Sequence, residues 1–447
     1  MTQSRANQPV LPRLAQALIQ AFQQPDIRKR LLFTFFILTV FRFVSHVPIP
    51  GVDQSALSDA FAGNAILSYL NLFSGGALRR LSVASMGVYP YITSTIIMQL
   101  LIPIVPSLQA LSKEGEAGQN KITLYTYWLA VPLAIVQGYA QLQTLQHSAG
   151  GTPVIQHIGL TGGDLLPTGA ALASMTAGTM FLVWLGELIT ENGIGNGISL
   201  IIFGGIVAGM PLYLPSIASS SIGFAGIVLL FLLVIGLIAL IVYFYEAQRR
   251  VPVQYARSLF RGGRMYRQSG QTHIPLRVNS AGMIPLIFAY ALVMFPATLA
   301  KALVTSSTTW VRDLATFISD TFSPGNVPYY VMVFFLTLAF AFFYTLVIFQ
   351  QQNLAENLQR QGGFVPGIRP GRPTQDYIMR VLVRITWAGA IFLGFVAVVP
   401  FFATKFANTA ALTISSTGLL IMVGVVLDTM KQLEAQLLMR NYAGFIR

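Results

Sequence analysis

Ten apolar runs, each about as long as a bilayer is thick, decide what this chain can become. They fall at Leu31–Val47, Met86–Val105, Ile122–Leu142, Ala171–Ile189, Ile198–Leu214, Phe224–Tyr245, Pro275–Phe295, Tyr329–Phe349, Val381–Phe402 and Ala411–Met430. A helix needs roughly 17 to 25 such residues to cross the hydrocarbon. Lipid offers a peptide group no hydrogen-bond partner, so runs of this length must pair their backbone internally as helices. The balance of residues agrees: 54% are hydrophobic, 10% are charged, and the mean hydropathy is +0.64, which a soluble surface could not carry. The expected fold class is an all-α polytopic membrane protein with ten transmembrane helices.

Ten crossings put both termini on one side, and the cations say which. With the N-terminus in the cytoplasm, 22 of the 28 Lys and Arg residues fall in cytoplasmic segments. Outside lie Arg79, Arg80, Lys301, Arg312 and Lys405, and Arg42 sits within the first run, where a long side chain can snorkel. Both termini are therefore expected in the cytoplasm. The start of the chain, polar and basic, lacks the layout of a cleaved signal peptide and reads as part of the mature protein. Residues 1–30 form a cytoplasmic segment and residues 431–447 a cytoplasmic tail.

Two cytoplasmic loops, residues 246–271 and 350–379, are long and basic. Arg249 and Arg250 open the first, which also holds Arg257, Arg261, Arg264 and Arg267; Arg369 and Arg372 lie among prolines and glycines in FVPGIRPGRPT of the second. Such arginines ordinarily just set topology. Proline fixes φ and glycine permits tight reversals, so a rigid tip can also present a cation to an acidic partner or to RNA phosphates.

Sites for chemistry are missing from the sequence. It has no HExxH, and His46, His147, His157 and His273 form no i, i+4 pair that could hold a metal. No catalytic residue, metal site or cofactor is expected, and cysteine is absent. The run Gly193-Ile194-Gly195-Asn196-Gly197 lacks the GK[ST] ending of a phosphate loop and reads as a tight turn. Glu187 and Asp428 fall near helix ends, so no midplane carboxylate of the kind that couples ions is present.

Six segments give the chain a family likeness. SGGALRRLSVASMGVYPYITSTIIMQLL (74–101), LSKEGEAGQNKIT (111–123), WLGELITENGIGNGISLIIFGGIVAG (184–209), EAQRRVPVQYA (246–256), PLRVNSAGMIPLIFA (275–289) and AENLQRQGGFVPGIRPG (355–371) resemble, in order and spacing, the SecY family of protein-conducting channels. That resemblance implies two inverted halves of five helices, residues 31–214 and 215–430, with a short plug helix at about 66–80 before the second helix. It implies a pore ring of Val88, Ile92, Ile198, Ile202, Ile287 and Ile421, and a plug containing Phe73, Ser74, Gly75 and Gly76. It also implies a lateral gate with Gln99, Asn279 and Pro285, and partner docking through Arg249, Arg250, Arg369 and Arg372. Read without the family, the six aliphatic residues are ordinary helix packing, and Gln99 and Asn279 read equally well as interhelical hydrogen-bond formers.

The implied partners are SecE-like and SecG-like small membrane subunits, a SecA motor ATPase, the ribosome, signal peptides, nascent polypeptides and the lipid bilayer. The implied location is a bacterial-type inner (plasma) membrane or a thylakoid membrane. The function expected is a conduit, not an enzyme: unfolded polypeptides cross the membrane, and transmembrane segments leave sideways into lipid. The alternative is an inverted-repeat secondary solute transporter, which its substrate would stabilise thermally.

Overall fold

The computed structural model of the chain describes residues 22–61, 67, 71, 74–148, 154–155, 158–159, 164–213, 224–261, 264–304, 308–323, 326–352, 354–407 and 410–443. Phe73, one of the expected plug residues, lies outside them.

Helix α1 is Pro25–Val44, with proline in its first turn. The short α2, Gln54–Phe61, starts where the Asp53 carboxylate accepts from the hydroxyl and N–H of Ser55 and the N–H of Ala56, bonds that hold this carboxyl below its ordinary range. Helix α3 is Tyr89–Leu101 and α4 is Pro106–Lys113, with a 98° bend between them. The second apolar run therefore does not stay helical from Met86 to Val105. Gly87 at φ +57° and Pro90 in the first turn delay its start, and Pro103 and Pro106 end it.

Helices α5 (Glu116–Ser148), α6 (Leu165–Asn192) and α7 (Gly197–Gly209) follow, then α8 (Phe224–Glu246). The turn into α7 is the tight one expected of the glycine run: Asn196 caps the helix by accepting from Ser199 N–H at 3.1 Å. After α9 (Ile284–Leu303) come the amphipathic α10 (Thr309–Thr321), α11 (Val327–Gln352), the short α12 (Leu354–Arg360), α13 (Arg372–Ala407) and α14 (Ala410–Ala443).

Each expected run overlaps one of these helices. Among the described residues, four are long and apolar enough to cross a membrane by length and composition: α6, α9, α11 and α13. The bent pair α3–α4 passes the same test when its two helices are taken together as one broken span.

The first basic loop is not irregular. Strands β1 (Gln248–Arg261) and β2 (Arg264–Arg277) pair antiparallel from Gln248↔Arg277 to Arg261↔Arg264, and β3 (Gly363–Phe364) adds to β1 at Gln254 and Tyr255. Val251 and Val253 alternate inward and pack with Leu276, Phe349, Leu358, Val365, Ile378 and Leu382. The seventh run accordingly begins as strand and turn, and its helix starts at Ile284 rather than at Pro275.

One apolar cluster draws residues from α1, α2, α3, α5, α6, α7, α8, α9, α11, α13 and α14. Outside it, Phe35, Phe36, Trp128, Trp184, Leu232, Phe335, Trp387 and Phe395 are exposed, as lipid-facing side chains must be.

Helices α6 and α13 approach non-helical backbone closely through glycine. A Cβ on Gly178 of α6 would overlap the Val83 carbonyl, and one on Gly389 of α13 would overlap the Val278 carbonyl. Gly236 of α8 has nothing near it. Gly389→Val should therefore destabilise the protein by about 1–3 kcal/mol or more through overpacking. Thermal unfolding in detergent checks this: the midpoint should fall clearly for Gly389→Val and little for Gly236→Val.

Candidate functional site

The segment from Ser74 to Val88 forms no α-helix, only turns and a single 3-10 turn at Leu78–Arg80. Asn71 organises its start: its carbonyl accepts from Gly76 N–H (2.9 Å) and Ser74 Oγ (3.0 Å), and its side-chain oxygen accepts from Arg79 N–H (3.0 Å). Ser74 Oγ accepts in turn from Leu78 N–H at 3.1 Å. Gly75 and Gly76 both take positive φ, which admits the reversal.

Gly75 then meets Gly205 of α7 backbone to backbone: a Cβ at Gly75 would lie 2.6 Å from the Gly205 Cα. Arg42 of α1 does not snorkel outward. Its Nη1 donates to the Gly75 carbonyl at 3.1 Å. Ala77, Leu78 and Leu81 are wholly buried, whereas Arg79 and Arg80 are exposed.

The expected ring residues come from four helices and their caps. Val88 is the N-cap of α3 and Ile92 lies one turn on; Ile198 and Ile202 are on α7, Ile287 on α9 and Ile421 on α14. Five are buried and Ile198 is half-buried, and all six belong to the central apolar cluster that also holds Ala77, Leu78 and Leu81.

Two of these positions share a local frame. Gly87-Val88-Tyr89-Pro90 leads into α3, and Gly282-Met283-Ile284-Pro285 leads into α9. In each the glycine has positive φ, +57° and +64°, the next residue is the N-cap, and proline sits in the first turn. The first helical bonds correspond too, Ile92 N–H to Val88 O at 3.0 Å and Ile287 N–H to Met283 O at 3.3 Å. Four residues before each glycine are Val83 and Val278, whose carbonyls rest on Gly178 and Gly389. Measured from the glycines, Ile92 and Ile287 are equivalent.

Helices α3 and α9 touch. The Tyr89 hydroxyl donates to the Ala291 carbonyl at 3.0 Å in a buried setting. Nothing in the sequence singled out this tyrosine; only its partner across the bundle gives it a role. Gln99 is half-buried and its Oε1 has no hydrogen-bond partner, while Asn279 and Pro285 are buried just before and at the start of α9. Gln137 Nε2 of α5 donates to Thr93 Oγ1 of α3 at 3.3 Å.

The four arginines expected to dock a partner are all exposed. Arg249 and Arg250 lie on β1. Arg369 sits between Gly367 (φ +82°) and Gly371 (φ +99°), its carbonyl accepting from Thr374 Oγ1 at 2.8 Å, and Arg372 begins α13. The tip is held from both sides.

The SecY family model matches residues 82–430. The chain belongs to the SecY family. Protein translocase subunit SecY of Streptomyces coelicolor is 42% identical over 444 residues, covering 96% of this chain and 99% of the relative. The namesake subunit of Halalkalibacterium halodurans is 42% identical over 446 residues, covering 95% and 98%.

Solved structures share the fold. A protein-conducting channel superposes with a TM-score of 0.61 at 15% identity, covering 94% of this chain and 96% of that one. A SecY protein whose plug domain is described as stabilising the closed state and maintaining a membrane seal gives 0.62 at 16%, with the same coverage. The canine ribosome-bound channel Sec61 from the endoplasmic reticulum gives 0.56 at 16%, again covering 94% and 96%.

The Gly75–Gly205 contact has a measurable consequence. Gly205→Val must push the Ser74–Leu78 turn off α7, because the atoms opposing the new side chain are backbone. In this cysteine-free SecY-family chain, a cysteine replacing the buried Ala77 reports the shift. Its labelling by a water-soluble maleimide should rise several-fold with Gly205→Val and stay unchanged with Gly209→Val, where the added side chain meets open space.

Proposed function

We propose that this chain is the channel-forming subunit of a protein translocase. It conducts unfolded polypeptides across the membrane and releases signal sequences and transmembrane segments sideways into lipid. The observation that carries this reading is the near full-length match to SecY translocase subunits at about 42% identity. That match displaces the solute-transporter alternative.

The mechanism follows from the central cluster. Val88, Ile92, Ile198, Ile202, Ile287 and Ile421 form a ring of branched aliphatic side chains that offers no hydrogen bond to water or ions, so the idle path stays dry. The ring also holds no passing side chain strongly, as a conduit for many sequences requires. The Ser74–Leu78 turn, with Phe73, acts as a plug against it, seated by the Gly75–Gly205 contact and the Arg42 bond.

The two halves, residues 31–214 and 215–430, are inverted copies of five helices each. The matching glycine–proline frames before α3 and α9 support this, and they make Ile92 and Ile287 symmetry mates. Helices α3 and α9 are the gate. The Tyr89–Ala291 bond closes it with a polar contact averaging about 0.6 kcal/mol in membranes, weak enough for an entering apolar segment to replace. Charged residues at a helix centre cost roughly 2.5 to 3.5 kcal/mol on the insertion scale, so partitioning sorts secreted from membrane segments without chemistry.

Energy comes from partners. Arg249, Arg250, Arg369 and Arg372 dock a SecA-type motor or a ribosome, and SecE-like and SecG-like subunits clamp the halves. The ribosome-bound fold neighbour supports the second docking mode. Both termini are cytoplasmic, in a bacterial-type inner membrane or a thylakoid membrane.

Replacing Ile287 by asparagine puts hydrogen-bonding groups into the ring, which favours a hydrated path over a packed one. A shift of about 1.4 kcal/mol is tenfold in that equilibrium. Export of a reporter with a crippled signal peptide should rise several-fold, and resting single-channel conductance with it. If neither changes, Ile287 is core packing and the ring is wrong.

Arg369→Glu should insert at normal abundance but translocate at a small fraction of the normal rate, measured with inverted vesicles and a purified motor. Normal translocation by the inserted variant would remove Arg369 from the docking site.

A further inference from the structure

Helix α10 joins the end of α9 to the start of α11 and packs on α9. Thirteen residues long, it has three distinct sides. Ala315 and Ser319 are buried and face the bundle; Arg312, Asp313, Thr316 and Asp320 are exposed along one flank. Along the other flank Trp310, Leu314 and Phe317 recur at steps of four and three, which places them in one stripe. They are 68%, 50% and 69% exposed.

What covers that stripe is indicated by its neighbours. Helices α9 and α11 are both long and apolar enough to cross a membrane. At the ends nearest α10 they expose apolar side chains of their own, Leu303 on α9 and Val327 and Val331 on α11. The stripe thus continues the lipid-facing surface of the bundle at the level where the spans end. A helix with one apolar flank and one charged flank suits the membrane–water boundary, and tryptophan is the residue most at home there.

We propose that α10 lies in the headgroup region of the bilayer, with Trp310, Leu314 and Phe317 dipped into the acyl boundary and the Arg312–Thr316–Asp320 flank in water. Because its inner side packs on α9, the helix that carries Ile287 and the Ala291 carbonyl, α10 moors that helix to the membrane surface. The proposal requires only that the chain sit in a membrane. It stands or falls separately from protein conduction.

The absence of cysteine makes the test direct. Leu314→Cys, Phe317→Cys and Thr316→Cys are made singly in the full-length chain, purified with its bound subunits, and reconstituted into phosphatidylcholine–phosphatidylglycerol vesicles. Each is labelled with a nitroxide, and collisions with oxygen, which concentrates in lipid, are compared with those of a water-soluble nickel chelate. The oxygen-to-nickel ratio should be several-fold higher at 314 and 317 than at 316. Equal nickel access at all three positions would put the stripe in water, and shielding of 314 and 317 from both quenchers would mean that protein covers it; either result overturns the proposal.

Discussion

A peptide group inside a membrane protein must find its hydrogen bond within the protein, and this chain breaks the helical solution in the middle of the bundle. Residues 74–88 and 278–283 are turns, apart from one short 3-10 helix at Leu78–Arg80. Their backbone is satisfied by unusual partners: Ile49 N–H bonds to Leu81 O, Val83 N–H to Val47 O, Ser82 N–H to Ala77 O, and Val278 N–H to Ala247 O. Leu81 even takes a left-handed conformation (φ +43°), from which its N–H reaches Leu78 O. These pairings let irregular backbone lie against Gly178, Gly205 and Gly389, which have no side chain to hold it away.

The same economy of side chains shapes the centre. Close glycine contacts bring Ala77, Leu78 and Leu81 into one apolar cluster with the N-terminal turns of α3 and α9. Polar groups there are few and specific. Tyr89 spends its hydroxyl on the facing helix, and Arg42 spends a guanidinium donor on the Gly75 carbonyl. Dispersion contacts dominate there, with a few hydrogen bonds between elements.

Toward the β-hairpin end the bundle is tied by polar contacts. The Tyr245 hydroxyl donates to Asp428 at 2.7 Å and Lys431 pairs with Glu246 at 2.8 Å, joining the ends of α8 and α14. The hairpin starts beside them, and its base packs through Val251, Val253 and Leu276 against Phe349, Leu358 and Ile378.

Length and apolarity alone determined the class of this protein, because the bilayer imposes one dominant rule that a single run of residues either meets or fails. They also located the runs behind α6, α9, α11 and α13, while proline and glycine marked the tip at Arg369. Sequence did not show that the basic loop is a β-hairpin: Val251 and Val253 alternate for only a few residues, and their burial depends on Phe349, Leu358 and Ile378 far along the chain. Nor did it show the late starts of α3 and α9, since Gly87 and Gly282 look like ordinary small residues until their φ angles are known. The equivalence of Ile92 and Ile287 was hidden for the same reason, since it is measured from those two glycines. Tyr89, Arg42 and the Gly75–Gly205 contact belong to the tertiary structure altogether, because each is defined by a partner that local pattern cannot specify.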